Sequence, residues 1–370
     1  MKKLLIFTLL ACSPLARAQE TPTITISKSD KLSISITGLS PADAKVLSND
    51  LAMSGYFNVT SPASAAFVVS RLGTVADRGG KTVLSKAYDG PNGRGLVHAF
   101  ADDIVETLTG NKGIARTIIA FAATRTGRKE IYTADADGAN VKQLTSDNNI
   151  SVAPSLSADG RTLAYTGYKS GYADVYEIDL GSGARNRIIK FPGTNSGAAY
   201  SPDGGKIAVT MSKDGNPELY VTSAGGGGAR RLTRTAGVES SPTWSPDGAE
   251  IIYSSDDRGG PQLFRISASG GSARLLPTGQ SYNTEPNWSP DGKRVAFNTR
   301  GSGGFAVAIL DLGSGSTRTV GEGQDPVWGA DSRHLIYASG GALILLDAQT
   351  GQKTTLLSGL GKISEPTWSR

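Results

Sequence analysis

A short phrase of aromatic and turn residues recurs from residue 154 to the end of the 370-residue chain. Its fullest form is Pro286-Asn-Trp-Ser-Pro-Asp-Gly292. The six copies begin at Pro154, Ala198, Pro242, Pro286, Pro326 and Pro366, at intervals of 44, 44, 44, 40 and 40 residues. A period of about 40–45 residues is typical of β-propeller blades, each built from four short strands. A catalytic motif would normally occur once, so the repeat indicates an architecture.

The rest of each unit supports short strands joined by tight turns. In the fourth unit, Ser289-Pro-Asp-Gly292 predicts a turn, because Pro presets φ, Asp can bond nearby backbone, and Gly accepts positive φ. The stretch Lys293–Arg300 then alternates, with Val295 and Phe297 on one face. Further strands are predicted over residues 306–312 and 317–320. The 47 glycines fit a fold with many tight turns.

Each end of the repeat array contains only part of a blade, and the two parts together make a whole one. The sixth phrase stops at Arg370, while strand patterns at 116–124, 130–135 and 141–145 have no preceding phrase. We expect the strand around Trp368 to pair with the strand near Ile118, which closes the ring and removes an exposed sheet edge. The predicted fold is mainly β, a six-bladed β-propeller closed by the C-terminal strand and preceded by a small α+β domain.

Residues 19–112 lack the repeat and are predicted to form this α+β domain, with the propeller over 113–370. Ser40-Pro41 predicts a helix start, and a second helix is expected from about Gly95 to Thr109. A single strand is predicted over residues 66–74. Gly79-Gly-Lys-Thr82 and Asp135-Ala-Asp-Gly138 are interpreted as turns, because each lacks the rest of the phosphate-loop or calcium-loop motif.

Residues 1–18 have the pattern of a bacterial secretory signal. Lys2 and Lys3 precede an apolar run, and Ala16-Arg-Ala18 is a small-x-small cleavage site, so removal after Ala18 is expected. An alternative is a lipoprotein signal at Leu9-Leu-Ala-Cys12, in which Cys12 would be acylated and retained.

Composition then excludes two classes of function. Cys12 is the only cysteine, so a chain cleaved after Ala18 has neither a disulfide nor a thiolate nucleophile. Removing Lys2, Lys3 and Arg17 from the 38 basic residues leaves the chain near neutrality against 33 acidic residues. The basic isoelectric point is therefore no argument for nucleic-acid binding.

Two columns of the repeat precede the first strand of each blade and should cluster at one mouth of the channel. The residue before the proline column is Ala153, Gly197, Ser241, Glu285, Asp325 and Glu365 in successive units. Two residues earlier stand Ser151, Asn195, Glu239, Asn283, Gly323 and Ile363. Acids over half of the rim predict a polar mouth that binds a basic partner segment or a cation. The alternative is ordinary solvated loop residues, and no other metal or cofactor is predicted.

His98 and His334 are the chain's only histidines. They fall in different predicted domains without metal-ligand spacing, so both are interpreted as structural. An enzyme of the propeller class, such as a lyase or hydrolase acting on saccharides, should place catalytic residues or metal ligands at the mouth. A binding function is therefore favoured over this alternative, and a generic small-ligand propeller remains a third hypothesis.

The order of signal peptide, α+β domain and ring closed by a terminal Pro-x-Trp-Ser strand resembles the TolB family, the periplasmic propellers of the Tol-Pal system. The most specific stretch is His98–Phe121, in which a His-bearing helix ends in Leu-Thr-Gly-x-Lys-Gly and an Arg-x-x-Ile-Ala strand follows. Ser54-Gly-Tyr-Phe57 is similar to the family's Ser-Gly-x-Phe turn. The likeness covers essentially the whole mature chain.

This resemblance implies a monomeric, non-enzymatic periplasmic scaffold that supports outer-membrane integrity and constriction at cell division. It implies that the mouth binds the lipoprotein Pal and that an N-terminal segment, Thr21–Ser27, binds TolA. That segment alternates and could add as a strand to a partner's sheet. The family's Pal-contacting His-Asn-Gly-Ala-Pro phrase corresponds to Thr194–Ala198, where this chain lacks the His and the Pro.

The predicted partner-binding residues form two sets. Those at the mouth are Thr194, Asn195, Gly197, Glu239, Asn283, Glu285, Asp325 and Glu365. Those of the N-terminal segment are Thr21, Thr23, Ile24, Thr25 and Ile26.

Overall fold

The computed structural model describes residues 31–90 and 93–369 of the chain. Within these ranges a small α+β domain precedes six four-stranded sheets. The predicted signal peptide, Cys12 and the predicted segment Thr21–Ser27 lie outside the described residues.

The N-terminal domain packs two helices on a five-stranded sheet of order β2-β1-β3-β4-β5. Its elements are β1 (Leu32–Ile36), α1 (Pro41–Met53), β2 (Phe57–Val59), β3 (Phe67–Arg71), β4 (Thr74–Asp77), β5 (Thr82–Ser85) and α2 (Gly93–Thr109). Strand β1 is parallel to β2 because α1 forms the crossover between them. Ser40 caps α1 by accepting a hydrogen bond from the Asp43 amide at 3.2 Å.

The single strand predicted over 66–74 is wrong, because the chain reverses within it to form the β3–β4 hairpin. Gly73 has a φ of 83°, and a Cβ there would lie 1.9 Å from the Lys86 carbonyl oxygen. A left-handed residue with a backbone group this close requires glycine. Residues 66–74 are rich in apolar and β-branched residues, which favour one continuous strand and therefore hid the reversal.

The propeller consists of six antiparallel sheets of four strands each. Five blades are contiguous in sequence: β9 (Ser151–Leu156), β10 (Thr162–Gly167), β11 (Asp174–Asp179), β12 (Arg185–Ile189); β13 (Asn195–Tyr200), β14 (Lys206–Met211), β15 (Glu218–Ser223), β16 (Arg230–Arg231); β17 (Glu239–Trp244), β18 (Glu250–Ser255), β19 (Gln262–Ser267), β20 (Arg274–Leu275); β21 (Thr284–Trp288), β22 (Arg294–Gly301), β23 (Gly304–Asp311), β24 (Thr317–Glu322); β25 (Gln324–Trp328), β26 (His334–Ser339), β27 (Ala342–Asp347), β28 (Lys353–Leu357). The sixth blade combines β29 (Ile363–Trp368) with β6 (Ile118–Ala123), β7 (Glu130–Asp135) and β8 (Lys142–Gln143).

The predicted closure of the ring is confirmed by the register of this composite blade. Trp368 pairs with Ile119, and Ile363 pairs with Ala123. The Trp368 side chain is 4% exposed, and its indole nitrogen donates to Thr117 Oγ1 at 2.6 Å. The ring of Trp368 also explains why the fifth phrase has glycine after its tryptophan, since a Cβ on Gly329 would lie 2.9 Å from it.

The repeated turn forms as predicted and joins the two inner strands of the blade. In the fourth blade, Ser289 Oγ donates to Asp291 Oδ1 at 2.5 Å, and the same oxygen accepts from the Lys293 amide at 3.0 Å. Gly292 has a φ of 74° and donates its amide to the Ser289 carbonyl. The repeated aspartates are therefore part of the scaffold.

Every inner strand contains a β-bulge at the residue before the proline column. In β21, Glu285 and Pro286 together face one residue of β22, because Thr284 pairs with Asn298 and Asn287 with Ala296. The bulge residues have left-handed φ values: Ala153 49°, Gly197 64°, Ser241 52°, Glu285 48°, Asp325 58° and Glu365 54°. Five non-glycine residues thus adopt a costly conformation at one repeated position. Proline fits here because a bulge leaves its missing N–H unneeded.

The N-terminal domain docks at the end of the ring where the inner strands finish. Arg333, just before β26, places its guanidinium 4.2 Å from the Tyr56 ring centre and donates to the Gly55 carbonyl at 3.3 Å. It also pairs with Asp347 at 2.6 Å. The bulge residues lie toward the opposite end, near the start of each inner strand.

Removal of the Trp368 side chain tests the closure. We expect Trp368→Ala to lower the free energy of unfolding by about 3–5 kcal/mol, since it empties a buried site and removes an indole hydrogen bond. Chemical denaturation measures this change, and Thr354→Ala on the exposed face of β28 is the control, with an effect of about 0.5 kcal/mol or less. Equal effects of the two variants would mean that the terminal strand does not close the ring.

Candidate functional site

The six inner strands enclose a central channel with a cavity of about 410 Å³. All six bulge residues line it, together with the proline column and the inner-strand tryptophans Trp244 and Trp368. Because a bulge re-aims one side chain of a strand, it is the device that turns this column toward the axis. A position that varies between the repeats thereby forms part of the channel wall.

Three acidic side chains from consecutive blades make one side of the channel negative. Glu365 accepts hydrogen bonds from the Ala153 amide at 2.6 Å and from Lys129 Nζ at 2.9 Å. Asp325 accepts from the Glu365 amide at 2.9 Å. Asp325 and Glu365 thus each bind the bulge amide of the next blade, which stabilises both the bulge and the charge.

Glu285 is the least compensated of the three acids. Its carboxyl receives a hydrogen bond from the side chain of Ser241, and no salt bridge forms to it among the described residues. The enclosing protein raises the pKa of Glu285 to about 7, and the charges of Asp325 and Glu365 act in the same direction. The Glu285 side chain is nevertheless exposed to solvent within the channel. The raised pKa and this exposure are compatible, because the channel is open to water but narrow enough for protein to surround the carboxyl group.

Asp325 is also an acid whose pKa burial raises, but a backbone hydrogen bond offsets part of this effect. Burial raises its pKa, the Glu365 amide works against this, and the Glu365 charge adds to the rise. The opposite side of the channel carries uncharged residues at the bulge position, namely Ala153, Gly197 and Ser241. The channel therefore has an acidic half and a neutral half, and the acidic half offers oxygen atoms of the kind that hard cations bind.

The structure divides the predicted mouth residues into two groups. It brings Gly197, Glu285, Asp325 and Glu365 to the channel wall. Asn195, Glu239 and Asn283 do not line the cavity, since each is 0% exposed between its inner strand and the preceding blade. Asn195, for example, donates to the Phe191 carbonyl at 2.8 Å and to Asp174 at 3.2 Å. In a regular strand, residues two apart point to the same side, so the sequence predicted both columns at the mouth. The bulge breaks this alternation and puts the two columns in different environments.

Thr194 lies on the exposed surface, where its amide donates to Ser212 Oγ at 2.8 Å. The role of all these residues in partner binding remains a prediction. Sequence reasoning did not single out Lys129, which reaches the channel acid Glu365 from the loop before β7. The sequence contains no pattern that indicates this contact, since Lys129 belongs to no repeat column.

A second polar cluster lies at the joint between the two domains. Asp50, His98 and Asp137 place ligand atoms within 4.8 Å of one another, a set that could hold a metal ion. His98 Nδ1 bonds Asp50 at 2.7 Å, and this contact raises the pKa of His98 against the opposing effect of burial. Arg94 already pairs with Asp137 and with Asp135 at 3.2 Å. A guanidinium therefore supplies the positive charge here, and the cluster works as an ion-pair joint.

Both histidines are buried beside aspartates, and their interpretation as structural residues stays a prediction. His98 is 4% exposed in the joint just described, and His334 is 1% exposed with its Nδ1 2.5 Å from Asp331. Neither lines the channel.

Residues 105–370 match the family described as "TolB beta propeller domain". The chain belongs to this TolB propeller family. The TolB crystal structure from Acinetobacter baumannii superposes with a TM-score of 0.82 over 92% of this chain and 97% of that chain, at 25% sequence identity. This likeness extends over both the α+β domain and the ring.

Curated TolB relatives match over shorter segments. A TolB homolog of Chlorobium chlorochromatii is 46% identical over 91 residues, which are 24% of this chain and 21% of that protein. The Tol-Pal system protein TolB of Geobacter sulfurreducens is 42% identical over 23% of this chain and 20% of its own length. The matched segments thus span about a fifth of these relatives.

Among the described residues, no helix is both long and apolar enough to cross a bilayer.

The raised pKa of Glu285 predicts a pH-dependent stability. Between its ordinary value of 4.5 and about 7, the folded chain binds more protons than the unfolded chain. The free energy of unfolding therefore falls as the pH rises through this range and levels off above it. Glu285→Gln should reduce the fall by on the order of 1 kcal/mol, a value discounted for solvent screening in the channel.

Urea denaturation at a series of pH values measures this effect. Glu322→Gln, which removes an exposed acid at the edge of the same blade, is the control and should leave the fall unchanged. An unaltered fall in Glu285→Gln would show that the carboxyl titrates normally.

Proposed function

We propose that this chain is a non-enzymatic periplasmic scaffold of the Tol-Pal system. Its propeller mouth binds a Pal-type lipoprotein and its N-terminal segment binds a TolA-type inner-membrane protein, which supports outer-membrane integrity and constriction during division. The observation that carries the proposal is the acidic half-channel of Glu285, Asp325 and Glu365 in a propeller of the TolB family.

The dimensions and charge of the channel favour a protruding, basic segment of a partner protein. A cavity of about 410 Å³ admits a few side chains but no folded domain, so the partner's bulk must rest on the rim. Lys129 pairs with Glu365 and so balances only part of the charge, and the three acids together still attract a positive group. The six blades hold these acids rigidly, so little ordering cost falls on the propeller.

A binding role is also favoured over catalysis by the position of the titratable groups. The two histidines are engaged with aspartates outside the channel. Asp325 and Glu365 each accept a bulge amide, a scaffold role that ties these two acids to fixed positions. Relatives named as Tol-Pal system proteins support the proposal that this chain acts in the periplasm.

The contact with a TolA-type protein is proposed for Thr21, Thr23, Ile24, Thr25 and Ile26, which lie outside the described residues. Their alternating β-branched pattern suits addition to a partner's sheet edge. The described chain continues from residue 31 into β1, which is flanked on both sides by β2 and β3.

Binding to the soluble domain of a Pal-type lipoprotein from the same organism tests the main proposal. Calorimetry should show a complex whose affinity falls about tenfold in the double variant Glu285→Gln with Glu365→Gln, and whose salt dependence weakens. The matched control is Glu106→Gln with Glu322→Gln, the same charge change at two exposed positions away from the channel.

Two outcomes would contradict the proposal. If the unaltered chain does not bind, a Pal-type lipoprotein is not its partner. If a complex forms but the channel variant and the control have equal affinities, the acidic half-channel is not the binding surface.

A further inference from the structure

Two glutamates outside the channel form a buried pair of acids. Glu218 begins β15 and Glu239 begins β17, and each is 0% exposed. Their carboxyl groups lie within hydrogen-bonding reach of one another. Two ionised carboxylates cannot bond each other, so this contact needs a proton.

The donors around the pair satisfy only half of its oxygen atoms. Glu218 Oε1 accepts from Arg231 at 2.6 Å and from the Thr235 amide at 2.9 Å. Glu239 Oε1 accepts from Thr235 Oγ1 at 2.8 Å and from Ser255 Oγ at 2.9 Å. The Oε2 atoms of both glutamates are buried without a partner among the described residues. One proton on an Oε2 atom supplies the missing donor.

The repeat contains its own comparison for this pair. At the preceding blade boundary Asn195 donates to Asp174 at 3.2 Å, and at the following one Asn283 donates to Gln262 at 2.7 Å. In both places an amide N–H supplies the donor. Glu239 stands where these blades have asparagine, and its side chain has no N–H. The missing donor at this blade boundary must therefore be a proton that a carboxyl group takes up from solvent.

The charges around Glu239 identify where the proton resides. Glu218 faces it from β15, Arg231 from β16, and Tyr253 from β18; Asp214, Tyr220 and Asp257 lie farther out. Burial raises the pKa of Glu239 to about 7, and the Glu218 charge adds to this. For Glu218, burial acts to raise the pKa, but hydrogen-bond donors that include Arg231 and the Thr235 amide outweigh it and lower the pKa. Glu218 therefore stays ionised beside Arg231, and Glu239 holds the proton.

We propose that Glu218 and Glu239 share one proton and form a pH-sensitive anchor for the rim loop, residues 232–238. Thr235 connects the loop to both acids, through its amide and its hydroxyl. Asn216 holds the same loop by donating to the carbonyls of Thr235 and Gly237. The loop enters β17 at the end of the ring opposite the N-terminal domain.

Loss of the proton puts a second negative charge into a site that contains one guanidinium. The extra charge is buried only while the loop is closed, so it destabilises the closed loop and not the open one. Because the pKa of Glu239 in the folded chain lies above the ordinary 4.5, anchoring is strongest below about pH 4.5 and weakens as the pH rises toward about 7. Above that range the loop opens more often. This inference concerns the loop and is independent of which partner the mouth binds.

Hydrogen exchange of residues 232–238, corrected for the intrinsic pH dependence of exchange, tests the anchor. Between about pH 5.5 and about pH 8.5 we expect the opening constant of the loop to rise tenfold or more. Glu239→Gln, which installs the donor that the neighbouring blades carry, should abolish the rise. Glu285→Gln removes a different carboxyl whose pKa is also raised to about 7 and should leave the rise intact.

A gain of pH dependence provides a second and independent measurement. Asn195→Asp converts the neighbouring acid–amide pair with Asp174 into an acid pair, which also lies near an arginine, Arg187 at 3.5 Å. It should make the opening of residues 190–194 pH-dependent. Carbon-13 infrared spectra of glutamate carboxyls, recorded in the Glu285→Gln background, should show a protonated band that Glu239→Gln removes.

Two results would overturn the proposal. One is a wild-type rim loop whose corrected opening constant is the same at both pH values. The other is a pH dependence that persists in Glu239→Gln. If Glu239→Gln does not fold, the absence of the protonated infrared band from the Glu285→Gln protein decides against the shared proton.

Discussion

The pairing of β29 with β6 is the contact on which the rest of the structure depends. In the other five blades, sheet partners lie close together in sequence, so each could form alone as a hairpin array. Only the composite blade joins residues near 120 to residues near 365. The channel needs all six inner strands around one axis, and this arrangement exists only when the array is closed. The N-terminal domain also depends on it, because α2 leads directly into β6.

Within the closed ring, the bulges separate the scaffold from the surface that the channel presents. Proline, tryptophan and the Ser-Pro-Asp-Gly turn repeat because they build the same strand and corner in each blade. The residue before proline is free to vary, since its left-handed backbone is held by the flanking ladder and its side chain points away from the core. Carboxylates at this position then bind the neighbouring bulge amide, as Glu365 does with Ala153. The same group thus stabilises the strained turn and charges the channel.

The two ends of the ring differ in how their charges are balanced. At the domain joint, Arg94 and Arg333 neutralise the aspartates that they contact. In the channel and near its rim, Glu285 and Glu239 lack such partners, and for both the pKa rises to about 7. Without an ion-pair partner, both carboxyls remain protonated to a higher pH than an ordinary glutamate. The end of the ring away from the N-terminal domain therefore contains two acids whose ionisation changes near neutral pH.

The sequence alone determined the ring, its closure and the chemistry of its turns. These follow from turn chemistry and from the repeat. The strands near Ile118 lack an inner strand, and the strand at Trp368 lacks following strands, so pairing the two completes a blade. The sequence also placed Glu285, Asp325 and Glu365 in one column. The tertiary structure alone decided that this column faces the channel while Asn195, Glu239 and Asn283, two residues earlier, are buried. The physical reason is the bulge, which breaks the period-two alternation and depends on the register between strands.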